Sequence, residues 1–238
     1  MSKPNALRAP PTNRLLAALP KEEYRLLLPE LEQFPLVFGD LIYKSGALVR
    51  HVYFPTSGII SLLADVDDEG TLEVGIVGRE GMAGLSVFLG VKTSPNRALV
   101  QGAGFALRMK AAALRRMADK GGSLPRLLRR YTYSLWAQLS QSAVCSLFHP
   151  IDARLARWLL MTRDRMEANE FPITQEFLSA MLGVRREGVN KAAGKLQQDG
   201  LIRYARGTLI ILKPARLAAM ACECYQIIKK EYAGDFES

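Results

Sequence analysis

The chain has 238 residues, 49% of them apolar and 23% charged, with a formal net charge of +9. That is enough chain for one large domain or two modest ones, and the composition excludes global disorder. No apolar run approaches the ~20 residues of a membrane helix. The N-terminus lacks the apolar core and small-residue cleavage site of a secretory signal, so a cytoplasmic protein with no membrane partner is expected.

The charge is unevenly spread. Residues 1–110 hold 12 Lys/Arg against 11 Asp/Glu, whereas 111–170 hold 10 against 5 and 171–216 hold 8 against 3. The last stretch, 217–238, is acidic, with 2 against 4. A basic excess confined to the second half is the electrostatic footprint of a polyanion binder. The three cysteines are Cys145, Cys222 and Cys224, and the two histidines are His51 and His149. The one-residue gap between Cys222 and Cys224 fits neither a zinc knuckle nor a thioredoxin-like pair. No metal site is expected, and the thiols read as buried or incidental.

In chain order, "RLLAALPKEEYRLLLPELEQF" reads as helix interrupted at Pro20 and Pro29. From Phe38 to Met109 the character changes. Eleven glycines between Gly39 and Gly104 separate short apolar or β-branched runs: "LIY", "HVYF", "GIISLLADV", "TLEVGIV", "RALVQ" and "FALRM". Such spacing predicts an antiparallel sandwich or small barrel, with a hairpin turn at Asp67–Gly70. "AAALRRMADKGG" then reads as a short helix ended by Gly121 and Gly122. From Arg126 to Phe148 the chain has no Gly or Pro, and Leu128, Tyr131, Leu135, Gln138, Ser142 and Cys145 recur at spacings of three and four. This is the pattern of a coiled-coil seam, so these positions are expected to face a second copy of the chain, the alternative being a helix packed only on its own domain. Pro150 imposes a boundary, and "IDARLARWLLMTRDRM" begins a new amphipathic helix with Asp152 near its N-terminus.

The segment "FPITQEFLSAMLGVRREGVNKAAGKLQQDGLIRYARGTLIIL" carries the functional signal. Thr174 can cap a helix running through Leu182, and Gly183 makes a tight turn. A second helix, from about Arg185 to Asp199, would bury Val189, Ala192, Ala193 and Leu196. Two short strands, "LIRY" and "TLIIL", joined by "ARG", complete a winged helix-turn-helix. With the apolar residues inward, Arg185, Arg186, Glu187, Asn190, Lys191 and Lys195 cannot all face the core. Such a helix can enter the major groove, where Arg pairs bidentately with guanine and Glu accepts from cytosine N4. Lys195 and the wing residues Arg203 and Arg206 are placed for phosphate contact.

Over roughly residues 14–216 the chain resembles the Crp–Fnr superfamily of bacterial transcription regulators, most strongly in "RLARWLL" and "ITQEFLSAMLGVRREGVNK". The resemblance implies an α+β fold with a jelly-roll-like, cyclic-nucleotide-binding-like antiparallel β-roll over 1–120. It also implies a dimerisation helix and hinge over 121–149 and a winged helix-turn-helix domain over 150–238. It places the family's base-reading Arg and Glu at Arg186 and Glu187, a third reading position at Lys191 where Arg is usual, and a phosphate contact at Thr174. The implied partners are double-stranded DNA, a second copy of the chain, RNA polymerase and a small-molecule effector of unknown identity.

The sensory half departs from the cyclic-AMP-binding members. Their Gly-Glu pair falls at Ala83-Gly84 and their Arg-Ser pair at Asn96-Arg97, so the Glu is lost and the Arg displaced by one residue. In a strand that shift turns the side chain to the other face. An effector pocket would then be left with Gly81, Gly84 and Arg97, and cyclic AMP is not the expected ligand. The glycines of "GREGMAG" match no nucleotide-binding spacing and read as a sharp turn between strands. An iron–sulfur cluster on N-terminal cysteines is excluded, because the first cysteine is Cys145. His51 reads either as a haem axial ligand or as a structural histidine, and no cofactor is assigned. A nucleotide-sensing subunit acting on a protein partner is the alternative, but it leaves the basic second half unexplained. No nucleophile elbow, Ser/His/Asp set or metal signature suggests an enzyme.

Overall fold

A computed structural model of the chain describes residues 12–66 and 70–234. The polar tail before Thr12 and most of the turn expected at Asp67–Gly70 lie outside the described residues. The chain divides into two compact units, one of residues 1–62, 76–135 and 232–238, the other of 63–75 and 136–231.

The first unit opens with helices α1 (Arg14–Ala17) and α2 (Lys21–Leu27) and a 3-10 turn (Leu28–Glu30). Asn13 caps α1 by accepting from the Leu16 N–H at 3.1 Å. Its amide donates to the carbonyls of Pro55 and Gly81, both at 2.9 Å, so this fully buried polar side chain is satisfied. Helix was expected to continue through Phe34, but Leu31–Leu36 is instead strand β1. Pro29 stops the helix, and Leu31 and Leu36 are buried while β1 pairs with a strand about 70 residues away in sequence, which no local pattern could announce.

The remaining strands follow the expected runs: β2 (Leu41–Tyr43), β3 (His51–Pro55), β4 (Ile59–Val66), β5 (Gly70–Val77), β6 (Arg97–Gly102) and β7 (Gly104–Lys110). They form two sheets, ordered β1-β7-β3 and β2-β6-β4-β5. In the first, Leu31 opposes Met109 and Phe54 opposes Leu107, both pairings antiparallel. Leu15, Leu16, Phe54, Ile59, Ile60, Met82 and Met109 are among the fully buried side chains of this unit.

Helix α3 (Ala111–Asp119) leads into the long helix α4 (Ser123–Phe148). The Glu23 carboxylate accepts from the Ser123 and Leu124 N–H groups at 3.0 and 3.3 Å, so a residue a hundred positions earlier satisfies the first turn of α4. The second unit takes up the remainder of α4, then α5 (Ile151–Met166), β8 (Glu170–Pro172), α6 (Gln175–Leu182), α7 (Arg186–Gln198), β9 (Ile202–Ala205), β10 (Thr208–Ile211), α8 (Pro214–Met220) and α9 (Cys224–Ala233). Its core includes Leu155, Trp158, Leu159, Leu178, Val189, Leu196, Leu209 and Leu217. The indole N–H of buried Trp158 donates to Glu73 Oε1 at 2.8 Å. Among the described residues no helix is long and apolar enough to cross a membrane.

Burial corrects the expected seam on α4. Leu128 and Tyr131 are 0% exposed, and Leu135, Gln138 and Ser142 are also buried, all within a single copy of the chain. These positions therefore line no surface that a second copy could meet. The three-and-four spacing was real, but it records packing of α4 against its own chain: the Tyr131 hydroxyl donates to the Met82 carbonyl at 3.0 Å. A second stripe, rotated around the helix, is the exposed one. Tyr133, Trp136, Val144, Leu147 and Phe148 are exposed apolar residues, with Ser140 and Ala143 exposed between them.

Candidate nucleic-acid interface

The helix-turn-helix is α6, a turn at Gly183–Arg185, and α7. Thr174 caps α6 by accepting from the Phe177 N–H at 3.1 Å. At the other end, Gly183 adopts φ +61°, its N–H bonds the Ala180 carbonyl, and the Val184 N–H bonds the Ser179 carbonyl. This is a Schellman closure. A side chain at 183 would be strained by that φ and would also lie 2.9 Å from Leu72 Cδ1. The Leu182 carbonyl is held by the buried guanidinium of Arg154, which fixes the turn from α5.

Helix α7 buries Val189, Ala192, Ala193 and Leu196, as the periodicity required. Its remaining charged face is exposed: Arg185 as N-cap, then Arg186, Glu187, Asn190, Lys191 and Lys195. Gly188 lies against α5, where an added Cβ would come 3.1 Å from Ile151 Cδ1. Lys195 is exposed but has a partner of its own within the chain. Its ammonium is paired with Asp152 at the start of α5, and this hydrogen bond holds the Asp152 carboxyl below the usual carboxylate range.

The wing is the antiparallel hairpin β9–β10, extended by β8 into a three-stranded sheet ordered β8-β10-β9. The connection is shorter than the "ARG" read from sequence. Arg206 and Gly207 alone form it, with φ of 50° and 76°, the two positive values a type I′ turn requires. Arg203 and Arg206 are exposed. The Tyr204 hydroxyl donates to the Ile173 carbonyl at 2.8 Å, and the Tyr204 N–H donates to Gln197 Oε1 at 2.8 Å, tying the wing to α7 and to the segment before α6. A cleft of about 400 Å³ brings together Thr174, Gln175, Arg186, Tyr204 and Arg206. Sequence reasoning missed Tyr204, whose signal is only an aromatic in a short strand.

The positions expected for an effector pocket behave differently. Gly81 is packed so tightly that a Cβ would lie 2.0 Å from the Tyr131 ring, and Gly84 has φ +93° with Val52 and Val49 close by. Arg97 shares the less buried face of β6 with Leu99, opposite buried Ala98 and Val100. A register shift does occur beside it, but the extra residue lies on β2, between Leu41 and Tyr43. The nearby cleft of about 340 Å³ is lined by residues including Arg50, His51, Lys92, Lys110 and Arg115, and by none of Gly81, Gly84 or Arg97. His51 starts β3, and burial followed by the charge of Arg108 lowers its pKa.

Residues 153–220 match the family model described as the Crp-like helix-turn-helix domain. The chain carries a Crp-like helix-turn-helix domain on a mixed α+β fold, as the resemblance implied. Solved structures share that fold. FixK2 from Bradyrhizobium japonicum matches with a TM-score of 0.68 at 16% identity, covering 81% of this chain and 98% of that one. The c-di-GMP responsive global regulator CLP of Xanthomonas campestris matches with 0.63 at 18% identity, covering 81% and 99%. A mutant of CooA from Carboxydothermus hydrogenoformans matches with 0.59 at 13% identity, covering 82% and 90%. No curated protein sequence matches the chain. The Crp-like domain runs from the third residue of α5, just after Asp152, to the end of α8, so the helix-turn-helix and wing described above lie inside it.

Proposed function

We propose that the protein is a homodimeric transcription regulator that reads an inverted-repeat operator through α7. The observation that carries this reading is the outward face of α7. Arg185, Arg186, Glu187, Asn190 and Lys191 project together from a helix whose opposite face is fully used in packing, and Arg186 shares a cleft with wing residue Arg206. Arg186 specifies a guanine through a bidentate pair and Glu187 a cytosine through its N4 donor. Lys191 adds a point charge rather than a planar fork. Arg203 and Arg206 meet phosphate.

Two copies pair through the exposed stripe of α4, with Trp136 and Leu147 at 65% and 76% exposure as its main apolar residues. A two-fold axis there sets the half-sites about one helical turn, roughly 34–36 Å, apart. Cyclic AMP is not the effector: the loss of a carboxylate at Gly84 and the displacement of the arginine by one residue, to Arg97, take away the pair of groups that would hold ribose and phosphate. Selection from random DNA with the wild type and Arg186→Ala tests the reading. The variant should lose preference at one position per half-site, at a cost of about 1–3 kcal/mol. Recovery of one motif with equal stringency by both proteins would show that α7 does not read bases.

A further inference from the structure

The four residues that could ligate a soft metal in this chain, three thiols and one of its two imidazoles, come together in the second unit. Cys145 and His149 stand four residues apart at the end of α4, where the His149 N–H still bonds the Cys145 carbonyl at 3.2 Å. That spacing puts both on one helix face. Cys222 and Cys224 lie at the entry to α9, joined by a turn in which the Tyr225 N–H bonds the Cys222 carbonyl at 3.1 Å. All three thiols are buried and none is in a disulfide. The Cys145 and Cys222 sulfurs are 3.4 Å apart, Cys224 Sγ is 3.6 Å from His149 Nδ1, and all four ligand atoms lie within 4.8 Å of one another.

We propose that Cys145, His149, Cys222 and Cys224 bind a single zinc ion in a closed tetrahedral Cys3His site. A zinc–sulfur bond of about 2.3 Å gives a tetrahedral edge of about 3.8 Å, which is the scale of the observed separations. A multi-iron cluster divides its four ligands between two or more irons and so spreads them farther apart than a single ion does, and the compact set favours one ion. The arrangement also has the outer shell that a zinc histidine requires. With Nδ1 turned to the thiols, His149 Nε2 lies 3.2 Å from Glu223 Oε1, a carboxylate–histidine–metal relay supplied by the residue between the two C-terminal cysteines. Three thiolates and one divalent ion leave one net negative charge. The buried Arg157, whose Nε has no hydrogen-bond partner and whose charge favours all three thiolates, balances it. The entry to α9 adds the positive end of a helix dipole beside Cys224.

The ion ties the start of α9 to the end of α4, next to Pro150 where α5 begins. This explains why cysteines 77 residues apart in sequence meet. Four closed ligands leave no position for substrate, so the site is structural rather than catalytic. It stands independently of the DNA-reading proposal and concerns no residue used there.

The test uses the full-length chain, reduced and purified without chelator from zinc-supplemented cells. Elemental analysis should find one zinc per chain. The stripped protein titrated with cobalt(II) should develop the ligand-field bands of a tetrahedral site with sulfur-to-cobalt charge transfer, saturating at one equivalent. Cys222→Ser should abolish stoichiometric zinc. Because that variant could also lose its fold, Glu223→Gln at an exposed position provides the second arm, with zinc affinity falling about 10–100-fold while saturating metal still fills the site. Absence of zinc together with a cobalt spectrum lacking charge transfer would overturn the proposal. So would iron–sulfur absorption in the anaerobically purified protein, or intact mass showing a Cys145–Cys222 disulfide in protein trapped directly from cells.

Discussion

The two faces of α4 look alike in sequence and do opposite things. Leu128, Tyr131 and Leu135 on one face, and Tyr133, Trp136, Ser140, Ala143 and Leu147 on the other, each recur at three and four residues, yet the first set is buried within the chain and the second is exposed. Heptad spacing shows that a helix has an apolar stripe; it does not say what covers it. When a helix carries two stripes, the better-populated one goes to the larger adjacent core, here the β-roll. The other, interrupted by Ser140 and Ala143, stays exposed.

Substitutions on the two faces should therefore separate folding from assembly. Leu128→Ala removes a fully buried side chain and should cost about 2–5 kcal/mol of stability. Trp136→Ala, on an exposed position, should leave the unfolding midpoint within about 0.5 kcal/mol of wild type under monomeric conditions. In sedimentation it should nonetheless shift the protein from dimer to monomer. If Leu128→Ala yields a stable monomer and Trp136→Ala an intact dimer, the two faces have been assigned the wrong way round.

A smaller effect tests the same packing from the other side. Gly81 would place a Cβ 2.0 Å from the Tyr131 ring, so Gly81→Ala must displace a buried aromatic whose hydroxyl is bonded to Met82. A loss of about 1–3 kcal/mol in denaturant unfolding is expected, the usual cost of overpacking. A glycine serving mainly as a ligand cradle would instead tolerate Ala with little change in stability.

How much of this was legible in the sequence depended on the range of the contacts. The helix-turn-helix is local. Thr174 as cap, Gly183 as turn and Val189, Ala192, Ala193 and Leu196 as the inner face are all set within 25 residues, and each takes its expected structural place. The wing turn was read one residue too long, because Arg206 takes a positive φ that its residue type rarely adopts. What the sequence hid were pairings across long separations: β1 with β7, Glu23 at the start of α4, Lys195 with Asp152, and the cluster of Cys145, His149, Cys222 and Cys224. In the cluster, C-x3-H at a helix end and C-x-C some seventy residues later each look incidental. Only the fold places them together.

Arg206 couples the wing's backbone to its charge. Replacing it with Gly relieves a left-handed conformation costing about 1–2 kcal/mol and removes one exposed cation, which the proposed function assigns to phosphate. Arg206→Gly should raise thermal stability while weakening all DNA sequences alike, with the salt dependence of binding shallower by about one unit. A change in sequence preference instead would mean that the wing reads bases.

The smallest effect distinguishes the two glycines within α7. Gly188 faces Ile151 at close range, whereas an added Cβ at Gly194 would meet nothing within 4 Å, and neither has a positive φ. A helix-interior glycine costs about 0.5–1 kcal/mol relative to alanine through the backbone freedom lost on folding. At Gly194 nothing offsets that cost, so Gly194→Ala should stabilise the protein by about that amount and leave DNA selectivity unchanged. At Gly188 the same gain is opposed by a 3.1 Å approach to the Ile151 methyl, so Gly188→Ala should fall below Gly194→Ala in thermal unfolding. The reverse order would mean that α7 does not rest on α5 at Ile151, and the direction given to its Arg186 and Glu187 face would need revision.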